Sequence, residues 1–389
     1  MRNRLLSTTL RLLPAALLLA AAGAAATEHD PAAGAMPPAE KEQSSRFFSA
    51  EDGWLDVSEF LSQAYGFLPI AIPITEPAVG DGAAVALAFI DKPEPSADAG
   101  FGRPNLSILG ALNTENGTRG AFGADIRYWL DDRLQTFVGG IRTSVNLEYY
   151  GEGRAARRTR DPRTYTLDLD AAFAQAKYRL GRSQNWLGLG FLFARTDISF
   201  DRPGPLPAGN REIAINGLNL SVSHDSRDNV FTPREGHYLE LSAMLFRPGL
   251  GSDLNFSRLS AIGMHYLPLA SRWTLGLRES LAANQGDAPF YMQPYIYMRG
   301  VPAMRYMGEK VGQIEVELRW QFWERFSLVG FAGTGTARND LGDNHISASG
   351  IGLRYELARK LGLHIGFDFA WSEGEQSFYV QVGSAWMRP

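Results

Sequence analysis

From Phe67 to Trp386, apolar and polar residues alternate with a period of two. Residues 312–323 show it most clearly. Ile314, Val316, Leu318, Trp320 and Phe322 alternate there with Gln313, Glu315, Glu317, Arg319 and Gln321. Successive side chains of a strand point to opposite faces, so this segment predicts a strand with one apolar and one polar side. Residues 136–149 repeat the design, with Phe137, Ile141, Val145, Leu147 and Tyr149 set against Thr136, Arg142, Ser144, Asn146 and Glu148. Tyr165, Leu167, Leu169 and Phe173 oppose Thr166, Asp168 and Asp170. Leu363, Ile365, Phe367, Phe369 and Trp371 oppose His364 and Asp368.

Alternation also suits a soluble sandwich with one wet face. Two features favour a membrane barrel instead. The runs are long, commonly about 10 to 15 residues, against a mode of about 5–6 in globular proteins. The apolar side also carries aromatics near strand ends (Tyr149, Trp320, Phe322, Trp371, Trp386), where membrane interfaces place them. Roughly sixteen runs can be traced, from 67–74 to 377–386, and an even number returns both ends of a barrel to one side. Tight connections (131–133, 181–183, 268–271, 325 and 358–360) alternate with longer polar ones (150–163, 200–211, 285–311 and 339–345). Short periplasmic turns and long outer loops produce that asymmetry. Arg258 and Glu279 interrupt the alternation and are read as bulges or near-interface positions. The expected fold is all-β: a transmembrane antiparallel β-barrel over 67–386.

The N-terminal stretch reads differently. Arg2, Arg4 and Arg11 precede an apolar core from Leu12 to Ala22 and the small residues Ala24, Ala25 and Ala26, the pattern of an export signal over 1–26. Residues 27–48 are rich in Pro, Ala and Glu and are expected to be a disordered linker. Within 49–66, Val57, Phe60, Leu61 and Ala64 fall on one face of a short amphipathic helix. Two placements stay open: an entry segment at the barrel's end, or a plug in its lumen.

Composition narrows the chemistry. The 389 residues include no cysteine, which excludes disulfides, thiol nucleophiles and thiolate metal sites. A net charge of −4 without a basic face argues against nucleic-acid binding. The six histidines show no metal spacing. His224-Asp225-Ser226 cannot form a triad, because adjacent strand residues point apart. The glycines from Gly330 to Gly335 lie in a strand rather than before a helix, so they make no phosphate cradle. Neither enzymatic activity nor a cofactor is expected.

The second half carries more specific signals. The longest outer loop contains Met298-Arg299-Gly300-Val301-Pro302-Ala303-Met304-Arg305-Tyr306, followed by Glu317-Leu318-Arg319. This resembles the sixth loop of the BamA/TamA assembly-factor superfamily (the bacterial surface antigen family), in which an Arg-Gly-aromatic tip folds into the lumen ahead of a Glu-x-Arg strand. Asp225 to Asn229 with Pro233, Gly236 and Tyr238 resembles a periplasmic turn of that family, and Gly350 to Tyr355 its antepenultimate strand. Val301 departs from the usual aromatic. Gly333 stands where the family often has aspartate. Between the signal and the first run there is room for a linker but not for POTRA modules, so the resemblance is to POTRA-less members.

A guanidinium folded into a lumen needs carboxylates. Arg299 is therefore expected to pair with Glu317, with Glu315 or Asp368 replacing the acid missing at Gly333. The alternative is a solvated Arg299 beside a wet acidic wall. Gly300, Pro302, Arg305 and Tyr306 complete the loop motif. Closure must bring the first run, with Pro69 and Pro73, against the last, with Val380, Val382 and Trp386. Proline cannot donate to a ladder. The resemblance implies a lateral gate at this seam; the plainer reading is an edge blunted against wrong pairing. The last run also resembles the C-terminal signal by which such barrels are recognised for their own insertion.

The resemblance implies a role in inserting or translocating proteins or lipids at the outer membrane. A passive channel, resting on a polar lumen face that includes Arg142, Asp168, Asp170, Glu315 and Arg319, and a structural surface protein are the alternatives. Expected partners are outer-membrane lipids and lipopolysaccharide, and the barrel-assembly machinery for the chain's own insertion. The residues name no client and no solute.

Overall fold

The computed structural model describes residues 47–63, 66–91, 95–96, 100–101, 105–151, 153, 155–159, 161–202 and 212–386. The segment read as a signal, and the linker up to residue 46, lie outside the described residues.

Among the described residues, sixteen long strands form the wall, with the two-residue strand Ile213–Ala214 paired on Arg195 and Thr196. The first eight are β1 (Gly66–Glu76), β2 (Gly80–Ile90), β3 (Leu106–Thr114), β4 (Arg119–Trp129), β5 (Leu134–Tyr149), β6 (Arg163–Arg179), β7 (Asn185–Phe200) and β8 (Gly217–Asp225). The second eight are β9 (Gly236–Phe246), β10 (Phe256–Ala270), β11 (Trp273–Gly286), β12 (Lys310–Gln321), β13 (Phe326–Arg338), β14 (Asn344–Ala358), β15 (Leu363–Ser372) and β16 (Glu375–Val382). Each pairs antiparallel with its successor. β1 and β16 lie side by side, but among the described residues no ladder joins them, so the barrel is nearly closed.

Burial is inverted relative to a soluble protein. Leu109, Leu241 and Leu281 are 61%, 64% and 63% exposed, whereas Arg299, Glu315 and Asp368 are 3%, 3% and 0% exposed. An apolar band that faces outward, around a polar interior, is what a lipid-facing barrel requires. Trp273 and Trp320 stack at 5.3 Å at the lower edge of that band.

The face assignment of β5 and β6 reverses the expectation. Thr143, Val145, Leu147 and Tyr165 are buried inward, and Phe290 from the long loop packs among them. Arg142, Asp168 and Asp170 therefore point outward, with Arg142 Nε 2.5 Å from Asp170 Oδ1 on an exposed surface. Below them the outward positions of β6 are Ala172, Ala174 and Ala176. These strands have 16 and 17 residues, more than the band needs, so their upper halves stand in water with the polar side outside. Tyr149 is consequently an inward residue beneath the loop, against Phe200 and Phe290, and not an interface aromatic.

Arg258 and Glu279 are not bulges. The β10–β11 register runs unbroken through both and shifts only between Pro268 and Ala270. Arg258 points inward to Asn284. Glu279 points outward.

The N-terminal segment sits at the rim that carries the start of β1. Its helix, α1 (Ser58–Gln63), is shorter than the expected 49–66. Val57 is buried with Leu357, Ala358 and Leu363, and Phe60 and Leu61 pack on the same cluster. Ala64 lies outside the described residues. The segment is held by Arg325 in the turn after β12 and by residues around the turn after β14, and Phe60 also packs on Leu68 and Ile70 of β1.

Candidate functional site

The loop between β11 and β12, residues 287–309, folds inward. Ile296, Met298, Val301 and Tyr306 are buried against Ala337, Ile346 and Ala348 of the wall. The wall leaves space for them by keeping its inward side chains small. A Cβ on Gly335 would come within 2.8 Å of Ile296 Cγ2, and one on Gly333 within 3.0 Å of Met298 Sδ.

Arg299 reaches the centre. Its NH1 lies 3.0 Å from Asp368 Oδ2, and its NH2 lies 2.7 Å from Glu317 Oε2 and 3.7 Å from Glu315 Oε1. All three expected carboxylates thus surround one guanidinium. Asp368 is shared: Arg354 grips it with NH1 at 2.6 Å from Oδ1 and NH2 at 2.9 Å from Oδ2. Two arginines against three acids leave a nearly balanced cluster, the condition under which buried charge is tolerable. The Arg299 guanidinium also lies 3.6 Å from the ring centre of Phe331. Its neighbouring carboxylates favour the charged form despite burial.

Gly333 has a positional reason. Its Cβ would lie 2.9 Å from Glu315 Cγ. An aspartate there would collide with the residue that replaces it. Gly300, at φ +89°, places its N–H 2.5 Å from the Tyr379 hydroxyl, and a Cβ would come 3.1 Å from that of Ala370. Val301 is buried in the cluster of Ile296, Met298 and Tyr306, while the rings of Phe331 and Trp386 lie by the Arg299 guanidinium. Pro302 and Tyr306 are buried. Arg305 instead reaches outward to Glu375 at 2.8 Å, over the ring of Tyr150.

Trp386 requires a correction. It was expected as an interface aromatic on the seam. β16 ends at Val382, and the chain turns at Gly383 (φ +73°). Trp386 then lies inside, packed with Tyr238, Met264 and Tyr266. Its Nε1–H donates to Glu315, and its ring lies 5.9 Å from the Arg299 guanidinium. The positive-φ glycine just before Ser384 was the available signal. It breaks the alternation and lets the tail leave the wall.

At the seam, Pro69 and Pro73 both face outward and are exposed. The β1–β2 register passes through both without a shift. Their missing donors therefore belong to the side of β1 that faces β16. Val382 and Ile365 pack against the buried cluster of Val57, Leu357, Ala358 and Leu363, as do Phe47, Phe60 and Leu61. Phe60 also touches the Leu68–Ile70 cluster of β1. Phe60 thus links the β1 cluster to the cluster on which Val382 packs at the foot of the seam. Val380 lies opposite Phe367.

An unforeseen second arginine centre fixes that foot. Arg325, in the turn after β12, is 1% exposed. Its Nε and NH2 meet Asp52 at 2.7 and 3.0 Å, and its NH1 meets Asp56 at 2.8 Å. The Arg325 hydrogen bonds hold the Asp52 carboxyl at about 2, below its ordinary value. Val57 N–H donates to Leu357 O at 2.9 Å. The turn 226–235 closes the same rim. Asn229 donates to Leu361 O at 2.8 Å, and Arg319 donates to Pro233 O at 2.8 Å. Arg319 is thus a lumen residue spent on the turn. No group of three metal-ligating side chains converges among the described residues.

Comparison with known proteins agrees with this architecture. No curated protein sequence matches the chain. Among solved structures, BamA from Haemophilus ducreyi lacking POTRA domains 1–3 superposes with TM-score 0.57 at 13% identity, covering 81% of this chain and 69% of that one. CdiB from Escherichia coli gives TM-score 0.57 at 11% identity over 81% of this chain and 61% of its own. CdiB from Acinetobacter baumannii gives 0.54 at 9% identity, over 81% and 59% respectively. The chain therefore spans about three fifths of either CdiB. At such identities the likeness concerns the fold. The family model of the Omp85 superfamily domain matches residues 101–386. With its barrel and its family in agreement, the chain belongs to the Omp85 superfamily and is an integral outer-membrane protein.

Proposed function

We propose that this barrel inserts or translocates protein segments at the outer membrane through the seam between β1 and β16. The observation that carries this reading is the missing ladder between those strands, together with two prolines that remove donors from the free side of β1. An edge held by packing at Phe60 and by few hydrogen bonds opens at lower cost than a continuous ladder. The similarity to BamA and CdiB supports the same reading.

The filled lumen speaks against a passive channel. The inward loop and Trp386 meet inside the barrel at Arg299, the turn 226–235 is bonded across one rim, and Arg142 and Asp170 point outward. The chain has no cysteine, so a seam disulfide can be engineered cleanly. Ala71→Cys with Val380→Cys places one cysteine on an outward position of each seam strand. Locking the seam is expected to abolish insertion of a reporter barrel into proteoliposomes, and reduction is expected to restore it. Insertion at full rate through a locked seam would overturn the proposal. Large single-channel conductance in planar bilayers would favour a pore.

A further inference from the structure

The outward face of β9–β13 is not an even apolar wall. Two rows of cross-strand partners run across it. One passes from Ala243 through Leu259 and Ala283 to Lys310 and Arg338, the other from Leu241 through Ala261 and Leu281 to Gly312 and Thr336. Small and large side chains alternate in both rows. The small ones form the floor of an open groove of about 1030 Å³, and the exposed leucines stand along it. That volume matches the upper end of ordinary ligand clefts, about 300–1,000 Å³.

Both rows end at the rim of the long loops. Lys310 opens β12 directly after the loop 287–309, and Arg338 closes β13. Long loops mark the outer side, so this end of the groove lies at the headgroup level of the outer leaflet. The charges there are set against the pairing rules. Lys310 and Arg338 are direct cross-strand partners, and like charges so placed repel. Among the described residues the Lys310 side chain has no hydrogen-bond or ion-pair partner. Asp343 stands 3.5 Å from Arg338, with both side chains more than half exposed, and such a pair contributes little in water. Two adjacent cations thus share one weakly held acid. Thr336 adds a hydroxyl beside them, 3.0 Å from His345 Nδ1.

We propose that this groove binds lipid A, the phosphorylated, multiply acylated glycolipid of the outer leaflet. A phosphate lies between Lys310 and Arg338, and an acyl chain runs along the floor made by Ala283, Ala261 and Ala243. The phosphate relieves the repulsion between the cations. The guanidinium takes it bidentately, and the ammonium adds a point charge. The acyl chain fills gaps in which the wall's own side chains leave contacts unmade. Charge selects against zwitterionic lipids, and the outer rim selects against lipids of the inner leaflet. The site is independent of whether the seam opens.

The test uses the full chain folded in non-ionic detergent micelles, with native mass spectrometry reading the lipid retained. Bis-phosphorylated lipid A is expected to stay bound at one equivalent. The same lipid without its phosphates, and phosphatidylglycerol, are expected to be held about tenfold less tightly or worse. Lys310→Ser and Arg338→Ser are each expected to weaken lipid A by about tenfold. Ala261→Phe, which fills the floor from the lipid side, is expected to weaken it with both cations in place. Arg142→Ser is the control, an exposed arginine bonded to Asp170, and retention should be unchanged. Heat-modifiable migration verifies that each variant is folded. No retention by the unaltered chain, equal retention of the phosphate-free lipid, or undiminished retention with both cations replaced would overturn the site. Undiminished retention by Ala261→Phe would overturn the groove as the acyl seat. Phosphatidylglycerol held as tightly as lipid A would overturn the choice of lipid.

Discussion

Arg299 and Asp368 stand 69 positions apart in the chain and meet at 3.0 Å at the centre of the barrel. The contact joins the long loop to β15. It makes the loop a part of the wall rather than a cover over it.

Removing that arginine leaves Glu315, Glu317 and Asp368 facing one another with Arg354 alone. Breaking a buried pair by deleting one partner costs about 3–5 kcal/mol. Arg299→Ala is expected to lower the temperature of heat-modifiable migration and to speed protease nicking within 287–309. Arg299→Lys is expected to recover only part of the loss, because an ammonium cannot fork to two carboxylates while stacking on Phe331.

Restoring the acid at position 333 should do harm. In Gly333→Asp the new Cβ meets Glu315 Cγ at 2.9 Å and Met298 Sδ at 3.0 Å. A fourth carboxylate also joins an already acidic cluster. The expected result is destabilisation comparable to overpacking, about 1–3 kcal/mol, read from urea-dependent refolding into micelles.

The exposed pair offers a contrast. Asp170→Asn removes the partner of Arg142, whose side chain is 84% exposed. Charge pairs in water contribute little. Migration and loop protection are expected to stay at their original values. A loss as large as that of Arg299→Ala would contradict the outward placement of β5 and β6.

The foot of the seam should respond to acid. Asp52 is held at about 2 by Arg325, lower in the folded chain than in the unfolded one. Its contribution is therefore complete above about pH 4, the ordinary carboxylate range, and is lost as the pH falls toward 2. Pepsin is expected to spare Leu55 and Phe60 at pH 4 and to cleave there near pH 2. Arg325→Ala should abolish the difference between the two.

Much of the wall was legible in advance because β-pairing has a fixed period. The run around Ile314 to Trp320 could be assigned to faces from alternation alone. The reading went astray where alternation no longer meant lipid against water. In β5 the same pattern continues above the membrane, where water lies outside and the loop fills the inside, so the apolar face of Val145 and Leu147 turns inward. Sequence parity cannot report that exchange, since the solvent on each side depends on strand length and tilt. The Arg299 cluster was legible because a buried guanidinium has few stable partners. Arg325 was not, because its acids lie in a short segment more than 260 residues earlier and carry no periodic mark. Trp386 was misplaced because a terminal aromatic after an alternating run satisfies two incompatible destinations.

The inward tail has a consequence for the order of events. Trp386 follows the final strand, yet its indole bonds Glu315 of β12 and its ring packs on β9 and β10. The middle of the barrel therefore lacks one of its own central pieces until translation and export have delivered residue 386. Contacts of this sequence separation form late and slowly. The wall must then wrap around a tail already in place, and a chain truncated a few residues early is expected to stall with its sheet paired and its interior incomplete.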